Sequence, residues 1–256
     1  MKKRKLQFLL LLNFIILASS CVSTKKIEYF QELEGTSINK SSIPFEAKIQ
    51  TGDLLYINIT ATNAEAAIPF NLYQSPIIGN NVANSTPIPY LVNIDGIINF
   101  PVLGKIEVAG LTTKQLTKRL EDLLLNHINN PIINIRFRNF RVSVLGEVNN
   151  PGTFQVLNER MSIIEAISLA GDLTVYGKRE SVRLIRWEEG NKKKLIELDL
   201  TDKNILDSPY FILKQNDVIY VAPNKAKVNA SAVGPNTGVI ISSVSVLIAM
   251  LTFFIK

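Results

Sequence analysis

The residue types that most often carry chemistry are sparse in this chain, which has one histidine, His127, and one cysteine, Cys21, in 256 residues. His127 falls at the end of a predicted helix, just before Asn129, where a surface or capping role outweighs proton transfer. Glu188 and Glu189 are the nearest approach to a glycosidase pair, but adjacent residues in a predicted hairpin turn do not flank one glycosidic bond from two sides. Trp187 beside them could stack on a sugar ring, although a strand-end tryptophan more often packs in a core. The sequence contains no GxSxG, HExxH, CxxC or glycine-rich phosphate loop. No catalytic residue, metal site or cofactor is therefore expected, and a glycan-modifying enzyme is the weakest of the available readings.

The two ends carry a different kind of information. Met1-Lys2-Lys3-Arg4-Lys5 is followed by the largely apolar run Leu6 to Leu17 and by Ala18-Ser19-Ser20-Cys21: a basic region, an apolar region and small residues before a cleavage point. Residues 1–20 thus read as a secretory signal peptide. The small residues before the cysteine resemble a bacterial lipobox, with Ala18 where leucine is usual, and that resemblance implies cleavage followed by diacylglycerol attachment to Cys21. An uncleaved amino-terminal anchor is the alternative. A lone cysteine in an exported chain rules out a disulfide framework. Acyl chains, at about 0.8 kcal/mol per buried methylene, would fasten the cysteine firmly to a membrane. Val22 rather than aspartate follows it, which by resemblance to proteobacterial sorting points to the outer membrane.

At the other end, Gly238 to Ile255 contains no charge before Lys256. Eighteen residues at about 1.5 Å rise make roughly 27 Å of helix, near the hydrocarbon thickness of a bilayer, so 238–255 is expected to be a transmembrane helix. On such a helix Gly238, Ser242, Ser245, Ala249 and Thr252 form a small, partly hydroxylated stripe, and bulky residues such as Ile240, Leu247 and Phe254 cover the rest. That stripe suits contact with neighbouring helices or an aqueous lumen, which requires several copies in a closed ring. A plain anchor remains the other use of the segment.

The formal charge of +6 falls to +2 when the four cations of the signal, Lys2, Lys3, Arg4 and Lys5, are removed. Lys192-Lys193-Lys194 reads as a solvated hairpin tip, so nucleic acid is not an expected partner.

Between the ends, residues 21–44 read as the lipidated terminus and a polar, irregular spacer. Thr51-Gly52-Asp53 turns into a strand over Leu54 to Ala61, and Thr62 to Pro89 reads as an exposed insertion without period. Asp95-Gly96 stands between two apolar runs as a hairpin signal. Thr112 and Gln115 have capping-box spacing before a helix whose Leu116, Leu120, Leu123 and Leu124 share a face. In "PIINIRFRNF", Ile133, Ile135 and Phe137 alternate with Asn134, Arg136 and Arg138. A second unit begins with a hairpin turned by Asn149-Asn150-Pro151-Gly152. It continues with a capping box at Ser162 and Glu165, stapled by Met161 and closed by Gly171, then with two strands around Gly190, and ends at "NDVIYVAP". The fold class is α+β: two small mixed units, 45–140 and 141–225, then a linker, 226–237, and the terminal helix.

"TGDLLYINI", "VNIDGIINFPVLGKIEVAGLTTKQL" and "NPIINIRF" resemble the polysaccharide export domain of bacterial outer-membrane exporters, the Wza-like family. "VLGEVNNPGTFQV", the capped helix and "NDVIYVAP" resemble its companion, the soluble-ligand-binding β-grasp (SLBB) domain. Gly52, Asp53, Asp95, Gly96, Pro101, Gly104, Gly146, Pro151, Gly152 and Asp217 carry the resemblance. Fold-forming roles are expected for all ten: positive φ or close approach for the glycines, fixed φ for the prolines, acceptance of turn amides for the aspartates. The resemblance implies a homo-oligomeric ring, octameric in the best-known relatives, and a channel for capsular or extracellular polysaccharide. It also implies an inner-membrane polysaccharide co-polymerase (chain-length regulator) as partner and the outer membrane as location. A membrane-anchored glycan-binding or scaffold module is the alternative function. Only one β-grasp unit is visible where longer relatives have two, so the body is expected to be short.

Overall fold

The computed structural model describes residues 27–31, 46–74, 87–156, 158, 160–188 and 192–232, with 238, 239, 242, 243, 245–247 and 250 beyond them. The signal peptide, Cys21, Glu189, Gly190, Ala249, Thr252 and Lys256 lie outside the described residues.

The first unit starts with β1 (Leu54–Thr60), followed by a single helical turn α1 (Ala64–Ala67) that runs into a 3-10 turn (Ile68–Phe70). It continues with β2 (Tyr90–Leu91), β3 (Ile97–Phe100), β4 (Gly104–Glu107), α2 (Thr113–Leu124) and β5 (Ile132–Phe137). β1 is the middle strand of a three-stranded sheet, antiparallel to β2 on one side and to β5 on the other, with Tyr56 opposite Arg136 and Asn58 opposite Asn134. The period-2 pattern turns Leu55, Ile57 and Ile59 inward to Leu116, Leu120 and Leu124 of α2, all six buried in one core. Each such side chain contributes about 1.5–3 kcal/mol on burial. The capping box forms as expected: Gln115 donates its amide to Thr112 Oγ1, while the Thr112 amide donates to Gln115 Oε1 at 2.9 Å.

Three expectations for this unit need correction. Asp95-Gly96 does turn the chain, but Tyr90–Leu91 pairs with β1 and Ile97–Phe100 pairs with β4, so the two flanking runs do not form the hairpin expected between them. Asn93 Oδ1 accepts both the Asp95 and Ile97 amides and closes the turn, across which the Tyr90 and Phe100 rings stack 5.3 Å apart without a ladder between the runs. Of the stretch from Thr62 to Pro89, residues 75–86 lie outside the described residues, and 62–74 are not merely an exposed insertion. Ala67 and Phe70 are buried in the core, and Asn71 bonds the Ile59 amide and carbonyl as a strand would. Leu123 stands 41% exposed, outside the buried stripe, because only one side of α2 meets the sheet.

The second unit consists of β6 (Arg141–Gly146), β7 (Gly152–Gln155), α3 (Ile163–Leu169), β8 (Gly177–Glu188), β9 (Lys192–Leu198), a 3-10 turn (Lys203–Asp207) and β10 (Val218–Pro223). Its five-stranded sheet has the order β7-β6-β10-β8-β9; β10 is parallel to β6 and antiparallel to β8. Val142, Val144, Val182, Leu184, Ile219 and Val221 share a core with Ile163, Ala166 and Ile167 of α3. The capping box at Ser162 and Glu165 forms, Met161 is buried beside it, and Gly171 closes the helix at φ +75°. Trp187 is the exception to its expected core position: Val182, Leu184 and Arg186 take the inward phase of β8, so Trp187 points outward, 42% exposed, with Lys193 Nζ 4.5 Å from its ring centre. Beyond Pro223 the chain forms α4 (Lys225–Ala232).

The amino-terminal spacer is not irregular throughout. Phe30 and Gln31 donate their amides to the Leu200 and Thr201 carbonyls at 3.2 and 2.7 Å, and Tyr29 and Phe30 pack against the second unit's core. Among the described residues no helix is long and apolar enough to cross a membrane. Of the expected stripe, Gly238, Ser242 and Ser245 are described and helical.

Candidate functional site

The motif aspartates build two closely similar turns. Asp53 Oδ2 accepts the Gln50 amide at 2.8 Å, and its own amide donates to the Gln50 carbonyl at 3.2 Å. Asp217 Oδ2 accepts the Lys214 amide at 2.7 Å, and its amide donates to the Lys214 carbonyl at 3.2 Å. The residue before each aspartate has positive φ: +85° at Gly52, +62° at Asn216. Each turn opens the strand that runs through the middle of its sheet. The two differ in electrostatics. Asp217 meets the fork of Arg186, with Nη2 2.6 Å from Oδ2 and Nε 3.0 Å from Oδ1; both side chains are at most 3% exposed. Asp53, 1% exposed, has no cation in ion-pair contact among the described residues. Burial pushes its carboxyl up to about 6, opposed by the Gln50 amide.

The remaining motif residues fall into separate groups. Gly52 and Gly96 lie in one backbone cluster: the Gly52 amide donates to the Val92 carbonyl, and the Gly96 carbonyl accepts the Val108 and Ala109 amides. Pro101 and Gly104 turn the β3–β4 hairpin. At Asp95 the accepting side chain is Asn93, not the aspartate expected there. Gly146, at φ +95°, sits where a Cβ would fall 2.0 Å from the Val221 carbonyl oxygen. Gly152, preceded by Pro151, does not share that requirement: its φ is not positive and a Cβ would make only ordinary contact with Phe154. It occupies a plain ladder position opposite Val144, which any residue can take. Gly177 was not among the sequence candidates, yet a Cβ there would lie 2.8 Å from the Glu147 carbonyl oxygen.

Among the described residues no arrangement suited to bond cleavage emerges. His127 is exposed and leans on Phe70, ring centres 5.7 Å apart. Glu188 pairs with Lys194 at 3.4 Å. Among the described residues no three His, Cys, Asp or Glu side chains group to hold a metal.

What sequence reasoning missed is a docking site for both terminal segments on the loop 171–177. Tyr29 donates its hydroxyl to Asp172 Oδ1, and Arg179, 4% exposed, stacks 5.0 Å from the Tyr29 ring and reaches Asp172 Oδ2 at 3.6 Å. Burial, and then the Asp172 bond, hold the Tyr29 hydroxyl above its usual range, so it remains a donor. From the other terminus, the Asn224 amide donates to the Tyr176 carbonyl at 2.7 Å, and Lys227 pairs with Glu147 at 3.7 Å while lying over the Tyr176 ring. The sequence signal was the pair of aromatics, Tyr29 and Phe30, in a largely polar spacer.

Residues 42–138 match the family described as polysaccharide biosynthesis/export protein, and residues 140–221 match the SLBB domain. The EPS I polysaccharide export outer membrane protein EpsA of Ralstonia solanacearum is 28% identical over 203 residues, covering 74% of this chain and 52% of the relative. Its counterpart in Ralstonia nicotianae is likewise 28% identical over 203 residues, covering 74% and 51%. The chain spans about half the length of the curated relatives it matches.

Proposed function

The chain belongs to the polysaccharide export family, and from that premise we propose that it is an outer-membrane lipoprotein whose copies assemble into a channel carrying capsular or extracellular polysaccharide from periplasm to cell surface. In this reading Cys21 carries the lipid and 238–255 spans the membrane. An inner-membrane co-polymerase delivers the glycan. No bond is made or broken, and the work is done by walls rather than by a catalytic group.

The observation that supports it is the docking of both terminal segments on the loop 171–177. A lipid on Cys21 and a span beginning at Gly238 would then leave the body from one end of one unit, as a subunit standing on a membrane requires. Ser242 and Ser243 donate their hydroxyls to the Gly238 and Val239 carbonyls at 2.8 and 2.7 Å, which lowers the cost of placing these residues in hydrocarbon. The same bonds would serve a plain anchor equally well, so a scaffold module that only holds glycan is the rival.

An epitope placed after Lys256 separates the two: a channel stave is expected to show it on intact cells, and deletion of 238–256 is expected to stop export while the two units stay folded. A hidden epitope, with export surviving exchange of the segment for poly-leucine, would favour the scaffold. Imaging of the detergent-extracted protein as a closed ring tests the assembly directly.

A further inference from the structure

One face of the three-stranded sheet is buried against α2; the other is open. On the open face Tyr56 of β1 lies directly opposite Arg136 of β5, and Arg138 reaches back over it with its guanidinium carbon 5.9 Å from the ring centre. Arg136 Nε donates to Asn134 Oδ1 at 3.2 Å, and Asn58 lies opposite Asn134. Asn58, Asn134 and both arginines are exposed and Tyr56 is half-buried. The outward positions of β1 and β5 hold no carboxylate, and neither guanidinium has an ion-pair partner among the described residues.

We propose that this face binds the acidic residues of a polysaccharide, with Arg136 and Arg138 receiving sugar carboxylates and Tyr56 supporting a pyranose ring. The inference rests on the export reading above and adds to it the charge class of the cargo. Planar guanidinium forks match carboxylates through paired, charge-assisted hydrogen bonds. The arginine lying over the Tyr56 ring is held there by cation–π attraction, which reduces the ordering needed on binding. The ring presents an apolar surface of the kind that the C–H face of a pyranose covers, and the two asparagines offer both donors and acceptors to hydroxyls. Two uncompensated cations with no acid between them select an anionic partner over a neutral one. Residues two apart on one strand face lie about 6.6 Å from each other, so neighbouring carboxylates along a glycan can be met in turn.

The test uses the full chain in detergent and an oligogalacturonate, with a malto-oligosaccharide of equal length as the neutral control, measured by titration calorimetry. The oligogalacturonate is expected to bind, less tightly as salt rises, and the neutral oligomer to bind at least tenfold more weakly. Arg136→Gln with Arg138→Gln is expected to weaken the acidic ligand tenfold or more. Arg136→Lys with Arg138→Lys is expected to fall between, since charge is kept and the fork is lost; it also covers the case in which the glutamine variant does not fold. Equal binding of acidic and neutral oligomers, or unchanged affinity in the glutamine variant, overturns the proposal. So does loss of phosphatidylglycerol-vesicle binding or of oligomer size in that variant without any oligogalacturonate binding in the parent: the face would then meet a membrane or a second copy. Deleting the whole gene keeps the two readings apart. Surface polysaccharide that persists in the deletion sinks the export reading. Polysaccharide that disappears there while the glutamine variant still binds oligogalacturonate sinks only this one.

Discussion

Asp53 and Asp217 close equivalent turns, but only Asp217 has a cation beside it, and the two should respond differently to substitution. With its carboxyl pushed from the ordinary 3.8 up to about 6, Asp53 holds a proton in the folded chain that the unfolded chain has already released across that window. The contribution is therefore complete below the unfolded value and declines as pH rises through about 6. Asp53→Asn keeps an acceptor for the Gln50 amide and removes the charge. At pH above about 7 it is expected to be more stable than the parent, by up to about 3 kcal/mol, and near pH 4 to be equal to it; thermal melts across that range check this, and an offset independent of pH would refute it. Asp217 is held by Arg186 instead. Arg186→Met strands a buried carboxylate and is expected to cost about 3–5 kcal/mol, most of it recovered when Asp217→Asn is added. Urea denaturation of the four chains of the cycle measures the coupling.

Among the elements, those specified by neighbours in sequence were legible and those specified by distant partners were not. Both capping boxes could be read because the bonds join residues three apart, and the alternation in β5 because one face of a strand repeats every second residue. The run before Asp95 was assigned a partner across the nearest turn, whereas its ladder is with β1, thirty-odd residues earlier. The parallel pairing of β10 with β6 has no local signature at all. The glycines show the same limit. Gly146 and Gly152 flank one turn and looked interchangeable, but only at Gly146 does the neighbouring strand occupy the space of a side chain. Gly146→Ala is expected to push β6 away from β10 and cost on the order of 3 kcal/mol or more. Gly152→Ala is expected to be neutral or stabilising by up to about 1 kcal/mol, because it stiffens the unfolded chain at no steric cost. Melting temperatures of the two variants separate them; equal losses would show that the turn itself, not the approach of Val221, sets the requirement.

At the scale of the whole molecule the chain passes from one unit to the other through a single junction. β5 begins at Ile132, beyond the end of α2, and runs to the junction at 138–141, where Asn139 binds Leu54 and Gly52 and Arg141 binds Asn216. β6 leaves that junction and ends at Gly146 opposite Val221, next to Glu147 and the loop 171–177 that holds both terminal segments. Leu125, just past α2 in the first unit, and Val175, on the loop that holds the terminal segments in the second, are 61% and 66% exposed. If Cys21 carries the lipid, six Cα–Cα steps separate it from Ile27, and an extended chain of that length spans at most about 20–22 Å, so a subunit standing on its terminal segments is expected to hold Val175 nearer the bilayer than Leu125. Cys21 is the single cysteine, so once it is acylated an introduced Val175→Cys or Leu125→Cys can be labelled alone. In vesicles bearing an acceptor on the lipid headgroup, a donor at 175 is expected to transfer energy strongly and one at 125 weakly. Tyr29→Ala, which removes the Asp172 bond and the ring beneath Arg179, should loosen that clasp and narrow the difference without lowering the amount of protein on the vesicle. Equal transfer from the two sites in the parent chain would count against a subunit standing on its terminal segments, and a body lying flat cannot be part of a ring that conducts through it.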